Sequence, residues 1–263
     1  MNNRDNDTAD DNALYADPEV YDILHDPGSA TELRGLERAA LLCLNGKNQR
    51  WIEPACGSGR LVRLVAGRGR FCAGFDLSRA MIRYAKRAAE AEGVADRAEF
   101  FVGDMRNFGR RKDLAAYDVA VNPINSIRHL ATDAAMLDHL RAVRRALRPG
   151  GVYVVGLSLC AYGMEEETED VWRGRRGRTS VTQVIQYLPP RAGSRVERAV
   201  SHLTVRTPGG ERHLDSAYDL RGYNLAQWER LIGRSAMRLG AVADSMGRPV
   251  EPTEPGYFLF VLC

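Results

Sequence analysis

Arg50-Trp51-Ile52-Glu53-Pro54-Ala55-Cys56-Gly57-Ser58-Gly59-Arg60-Leu61-Val62 runs from a short apolar segment, through a glycine-punctuated turn, into the start of an apolar helix. Gly57 and Gly59 give the permissive backbone that a tight strand-to-helix turn needs where a ligand approaches the main chain. Glu53 stands just before that turn. Downstream, Phe71-Cys72-Ala73-Gly74-Phe75-Asp76 is a second apolar run closed by an acid, at the interval where a second parallel strand offers a carboxylate to ribose hydroxyls. A dinucleotide site asks for G-x-G-x-x-G and a helix N-terminus free for pyrophosphate. Here the third glycine position is Val62, and Glu53 places negative charge beside that anion. A nicotinamide-dependent oxidoreductase is therefore disfavoured, and a ligand carrying a cationic ammonium suits the turn better.

Outward from this stretch, apolar runs and helical periodicities alternate. Arg50 to Pro54, Phe71 to Asp76, Ala98 to Val102, Tyr117 to Val121 and Gly151 to Leu159 read as strands. Between them, Ser78 is placed to cap a helix with Met81, Ile82 and Ala85 on one face, and Thr132 or Asp133 caps another that runs to Leu147. Fully apolar strands joined by helices imply a parallel sheet covered on both faces. Ahead of the first strand, apolar residues from Ala13 to Leu44 fall at helical spacings, broken at Asp26-Pro27-Gly28. Residues 1–12 are polar and read as a disordered tail.

After Cys160 the rhythm changes. Glu165 to Asp170 is acidic and Arg173 to Arg178 is basic; the two runs read as solvated surface, paired with each other, or as a mobile cover built around Trp172. Val181 to Leu188, Arg195 to Arg206 and Arg212 to Arg221 alternate apolar with polar residues and predict an antiparallel meander. Leu225 to Met237 is an amphipathic helix. Leu239 to Met246 and Tyr257 to Leu262 are the last strands, the latter expected to run in reverse at the sheet edge. The expected fold is α/β: a Rossmann-like, doubly wound, mostly parallel seven-stranded sheet with an antiparallel last strand, plus an antiparallel β-meander inserted after the fifth strand.

Composition narrows the class. With 263 residues, 44% hydrophobic and 27% charged, the chain suits one large α/β domain. A formal net charge of +3 is too mild to point to nucleic acid. No apolar run approaches the ~20 residues of a membrane span, and no secretory signal is visible, so a cytoplasmic location is expected. Cys43, Cys56, Cys72, Cys160 and Cys263 show no C-x-x-C pairing and read as reduced thiols, with neither disulfides nor a metal site expected.

The pattern E-x-A-C-G-x-G-R at Glu53 to Arg60 resembles motif I of the class I S-adenosylmethionine-dependent methyltransferases, and Asn125-Ser126-Ile127-Arg128-His129-Leu130 is similar to the Asn-Ser-Leu-x-x-Leu segment of those acting on small molecules. The resemblance continues in order through Asp76-Leu77-Ser78, Gly103-Asp104-Met105, Tyr117-Asp118-Val119 to Leu130, Leu147-Arg148-Pro149-Gly150-Gly151 and the final apolar strand. It covers residues 45 to 160 and the C-terminal segment. It implies S-adenosylmethionine as cofactor and S-adenosylhomocysteine as product. Residues 13–160 and 223–263 would form the methyltransferase domain with N-terminal lid helices, and 161–222 an inserted substrate-shaping subdomain.

The same resemblance implies roles. Glu53 and the Gly57 and Gly59 backbone, with Ala55 and Cys56 in the turn, hold the amino-acid end of the cofactor, and Arg60 orients the turn or forms a salt bridge. Asp76 accepts from the ribose hydroxyls. Leu77 and Met81 pack on adenine, while Asp104 and the Met105 backbone, after Gly103, read its amino edge. Tyr15 and Tyr21 are lid residues, and Asn122 and Asn125 lie at the carboxyl edge of the sheet. His129 is the candidate general base, and Tyr162, Trp172, Tyr187 and Tyr223 are candidates to line an acceptor pocket. Asn122-Pro123-Ile124-Asn125 lacks the second proline and the aromatic residue of the motif that holds a flipped base, so base methylation is not supported. The expected function is methyl transfer to a small-molecule acceptor; a nucleic-acid methyltransferase and a non-catalytic cofactor-binding regulator are the alternatives. Nucleic acid is disfavoured as a partner, no membrane is expected, and the chain is read as a monomer or homodimer.

Overall fold

The computed structural model describes residues 13–108 and 116–263; the tail expected over residues 1–12 lies outside the described residues. Seven strands form one sheet: β1 (Arg50–Pro54), β2 (Phe71–Asp76), β3 (Ala98–Val102), β4 (Tyr117–Asn122), β5 (Leu147–Leu159), β10 (Leu239–Ala243) and β11 (Gly256–Leu262). Their spatial order is β10-β11-β5-β4-β1-β2-β3. β1 pairs parallel with β2 and with β4, and only β11 runs against its neighbours. The expected antiparallel last strand is therefore present, but it lies between β5 and β10, and β10 takes the edge. Strand order reverses between β1 and β4, the point where an open α/β sheet leaves a crevice at its carboxyl ends.

The pleat explains why the strands read as continuous apolar runs. Trp51, Cys72, Val119, Val121, Val152 and Val154 face one way and pack with α3 (Ser29–Leu41), α4 (Arg60–Gly67) and α5 (Arg79–Ala91). Their neighbours Ile52, Ala73, Ala120, Tyr153 and Val155 face the other way, toward α6 (Asp133–Ala146) and α7 (Leu225–Gly233). Both faces are thus buried. Helix starts follow local chemistry: Ser78 accepts from Met81 N at 3.3 Å, Thr132 from Ala135 N at 3.1 Å, and Asn224 forms a capping box with Gln227. α4 differs, for its N-cap is Gly59 at φ +75° with no side-chain cap, so its first N–H groups are left for other partners.

A second, antiparallel sheet follows β5 in the order β6-β7-β8-β9, made of β6 (Thr168–Arg176), β7 (Thr179–Leu188), β8 (Val196–Thr207) and β9 (Gly210–Arg221). The acidic and basic runs do not pair with each other: both lie largely along β6, which pairs with β7. α1 (Ala13–Ala16) and α2 (Pro18–His25) sit against this sheet. Val20, Ile23 and Leu24 of α2 bury themselves against Val181, Leu203 and Val205. β6 can come so near only because residue 174 is glycine: a Cβ there would meet Ile23 O at 1.8 Å.

Candidate active site

The glycine turn after β1 is held from three sides. Cys56 N donates to Phe75 O at 3.0 Å and Gly59 N to Cys56 O at 2.9 Å. Arg63, from the first turns of α4, donates to Ser58 O. Ala55 and Gly57 both sit at φ +53°, a conformation that costs an alanine about 1 kcal/mol and marks a backbone shaped for a ligand. Asp76, at the end of β2, accepts from Gly57 N at 3.0 Å through Oδ2 and from Ser78 N at 2.9 Å through Oδ1. Each oxygen keeps a second lone pair for a hydroxyl. Burial raises its carboxyl, against the lowering effect of those N–H groups.

These residues open onto a cavity of about 470 Å³, lined also by Leu77, Met81, Gly103, Asp104 and Met105, a volume in the range of nucleoside-sized ligands. Asp104 is clamped by Arg106 (Nε to Oδ2, 2.9 Å), which holds its carboxyl below the ordinary range. Met105 O is fixed by buried His139 Nδ1 at 3.1 Å, and Tyr153 Oη meets His139 Nε2 at 2.9 Å. Burial lowers His139 to about 4, so the ring is neutral: Nδ1–H donates to the carbonyl and Nε2 accepts. Beneath the turn, Glu53 is buried with Oε2 unpartnered. Burial first, then nearby Glu32 and Asp76, push its carboxyl up to about 8 against the pull of Arg60. An unpaired buried carboxyl beside a nucleoside-sized cavity fits a cationic ammonium, and the glycine cradle fits close approach of the same ligand.

A second cavity, of about 370 Å³, lies between α1–α2 and the inner face of the small sheet. Alternation along the strands selects its wall: Asp170 and Trp172 from β6, Gln183, Ile185 and Tyr187 from β7, Tyr218 and Leu220 from β9. On the opposite side are Asn125 and Ser158, locked by paired bonds (Ser158 N to Asn125 Oδ1, 2.7 Å; Asn125 Nδ2 to Ser158 Oγ, 2.9 Å). Ile124 and Asn125 both have positive φ, so the turn after β4 is strained where it meets the cavity. The two cavities share Tyr15, Tyr21, Ser126 and His129. The Tyr21 ring covers the turn, since a Cβ on Gly57 would meet it at 3.0 Å. Tyr15 Oη lies 3.1 Å from His129 Nε2, and the Tyr218 ring packs on His129 at 5.4 Å. Burial, with Arg128 nearby, lowers His129 to about 4, while burial raises the Tyr15 and Tyr218 phenols far above their ordinary value.

The cofactor residues named from sequence divide. Tyr15, Tyr21, Ala55, Gly57, Asp76, Leu77, Met81, Gly103, Asp104 and Met105 line the first cavity, Asn125 the second, and His129 both. Cys56 and Gly59 support the turn from behind: the Cys56 thiol packs against Gly74, and a Cβ on Gly59 would meet Phe100 at 2.5 Å. Arg60 turns away to Glu32 (2.5 Å) and Ser29 (2.8 Å), joining α3 to α4. Asn122 is buried and donates to Pro54 O at 2.8 Å. Of the acceptor candidates, Trp172 and Tyr187 line the second cavity, whereas Tyr223 is buried against Trp228 and Tyr162 bonds Gln227 at 2.9 Å. The sequence reading passed over His25, Asp170, Gln183 and Tyr218. Alternation carries a signal for the last two, but His25 and Asp170 read only as parts of a helix end and an acidic run.

Residues 52–151 match the family described as a methyltransferase domain. No curated protein matches the sequence. In three dimensions the chain is similar to an S-adenosylmethionine-dependent methyltransferase from Clostridium acetobutylicum ATCC 824 (TM-score 0.72, 15% identity, 93% of this chain and 96% of that one). It is also similar to the sugar N-methyltransferase KedS8 from Streptoalloteichus sp ATCC 53650 (0.68, 20%, 92% and 91%). A third likeness is to SAM-bound CalS10, an amino pentose methyltransferase from Micromonospora echinaspora (0.65, 19%, 90% and 91%). Residues 52–151 thus match a methyltransferase-domain family, and the chain as a whole shares its fold with these solved S-adenosylmethionine-dependent methyltransferases.

Proposed function

We propose that this chain transfers a methyl group from S-adenosylmethionine to a basic nitrogen of a small-molecule acceptor. The observation that carries the reading is the meeting of the two cavities at Tyr15, Tyr21, Ser126 and His129. One is lined by a glycine turn and a ribose-type carboxylate, with buried Glu53 behind that turn and outside the lining; the other is walled by aromatic rings. Nitrogen is favoured as the acceptor atom because a neutral amine brings the lone pair that takes the methyl and becomes cationic as the thioether leaves, a developing charge that ring faces stabilise, and because KedS8 is named a sugar N-methyltransferase and CalS10 an amino pentose methyltransferase.

When bound, the cofactor supplies a methyl group already activated on a sulfonium, so the protein's task is alignment and exclusion of water. Asp76 would hold the ribose, Glu53 the ammonium, and the Met105 backbone the adenine edge. Tyr21 closes over the turn. His129 and Tyr15 hold one exchangeable proton between Nε2 and Oη, facing the second cavity. With His129 neutral and weakly basic, the pair orients an acceptor nitrogen more than it strips it. Calorimetric titration with S-adenosylmethionine, S-adenosylhomocysteine and NADH tests the cofactor. Binding of the first two alone is expected; binding of NADH, or of none, overturns the reading. A screen of small amines for mass gain of one methyl then tests the acceptor atom.

A further inference from the structure

Among the described residues, the wall of the second cavity carries one charged side chain, and it is an acid. Asp170 stands among neutral tyrosines, Trp172, His25, His129 and small polar groups, with no lysine or arginine among the described residues of the wall. Arg60 and Arg128, which act on the wall residues His25, His129 and Tyr187 from outside the lining, are already paired. Arg60 bonds Glu32 and Ser29. Buried Arg128 bonds Glu197 and Arg221 O. His25 adds no charge, because burial and then Arg60 lower it to about 3. An incoming anion would find nothing to neutralise it. A cation would find a carboxylate and several ring faces.

Asp170 also stands apart from the reacting end. It shares the inner face of β6 with Trp172 and Gly174, at one edge of the small sheet. Tyr218, which packs on His129 and Tyr15, belongs to β9 at the other edge. Three strand spacings separate those edges by roughly 14 Å. Asp170 therefore meets the far end of an acceptor whose reacting atom lies near His129.

Resting on the methyltransferase reading of the site, we propose that Asp170 is the specificity-determining residue for the acceptor's remote end, and that it selects molecules ending in a cationic group and rejects those ending in a phosphate or carboxylate. Phosphorylated acceptors are excluded as substrates of this cavity.

Three rigid amines of one size test this: para-xylylenediamine, para-(aminomethyl)benzyl alcohol and para-(aminomethyl)benzoate, titrated calorimetrically into protein loaded with S-adenosylhomocysteine. The diamine should bind roughly fivefold more tightly than the alcohol, and the benzoate more weakly than either. Asp170→Asn should erase the diamine's advantage with nucleoside affinity unchanged, and Asp170→Lys should make the benzoate the best ligand. Asp170 is exposed, so both variants are expected to fold. Benzoate binding as tightly as the diamine, no binding of any of the three, or an order that Asp170→Lys leaves unchanged would each overturn the proposal. The same titrations without the nucleoside keep the order readable should S-adenosylhomocysteine fail to bind, a result that would sink the cofactor reading alone.

Discussion

Glu53 makes the ground beneath the glycine turn sensitive to pH. Its carboxyl lies at about 8 in the folded chain, far above the ordinary 4.5. The folded state therefore keeps a proton that the unfolded chain has released. That contribution to stability is complete below about 4.5 and is lost as pH rises toward 8. An ammonium placed on Oε2 would favour the ionised form and displace the proton. Two outcomes follow for Glu53→Gln: the ligand-free protein melts higher than the parent at pH 8 but not at pH 5, and the proton released on binding, read from calorimetric heats in buffers of different ionisation enthalpy, disappears. Gly57 is the other decisive residue. Gly57→Val puts a branched side chain at φ +53° and into the Tyr21 ring. Affinity for S-adenosylhomocysteine should fall below detection while the far-ultraviolet circular dichroism stays that of the parent. Motif reading located both residues because backbone demands leave a mark in sequence. It could not tell which way Cys56 and Arg60 point: proximity in the chain to a ligand-binding turn says nothing about side-chain direction, and both turn into the core.

At the scale of elements, α2 is fastened by one aspartate. Asp22 of α2, 1% exposed, accepts from Arg63 of α4 (3.0 and 3.2 Å), Tyr84 of α5 (2.9 Å) and Arg176 of β6 (2.7 Å). Burial alone would raise its carboxyl, but the two guanidiniums and the hydrogen bonds hold it below the ordinary range. Its stabilising effect is thus present above the unfolded value and lost as pH falls through the folded one. Asp22→Asn removes the buried one of Arg63's two carboxylate partners, Glu92 remaining at 2.8 Å, and should cost about 2–3 kcal/mol in urea denaturation. Arg176→Met should cost less, its side chain being half in water. No spacing rule joins residues 22, 63, 84 and 176, so this knot was invisible in the sequence. β6 was hidden for another reason. As an edge strand it turns most of its residues to solvent, and its buried position is Gly174, so charge runs mask the alternation that exposed its three partners.

Across the whole molecule the tryptophans divide between the parts. Trp51 and Trp228 are fully enclosed in the layers of the large sheet, while Trp172 stands at the second cavity with a third of its surface free. Binding of para-xylylenediamine should therefore change emission that Trp172→Phe abolishes and that removal of the other two indoles does not. The seven-stranded architecture was legible because strands buried on both faces leave uninterrupted apolar runs between helix caps. The place of β11 was not, since a reversed strand has the same composition at an edge as one position inward.

The two sheets are joined in a way that bears on descent. Cys160 N donates to Tyr223 O at 2.9 Å, so the chain departs from the large sheet and returns to it at a single point. The cost of closing such a loop grows only slowly with its length. Hairpin arrays of other sizes could be grafted between the end of β5 and the start of α7 at the same closing point, each replacing the bonds that now run from Arg176 to Asp22 and from Arg128 to Glu197. Recombining one contiguous gene segment thus replaces the whole wall that the small sheet gives the second cavity, provided the newcomer offers a glycine-like gap against Ile23 for α2 to rest in.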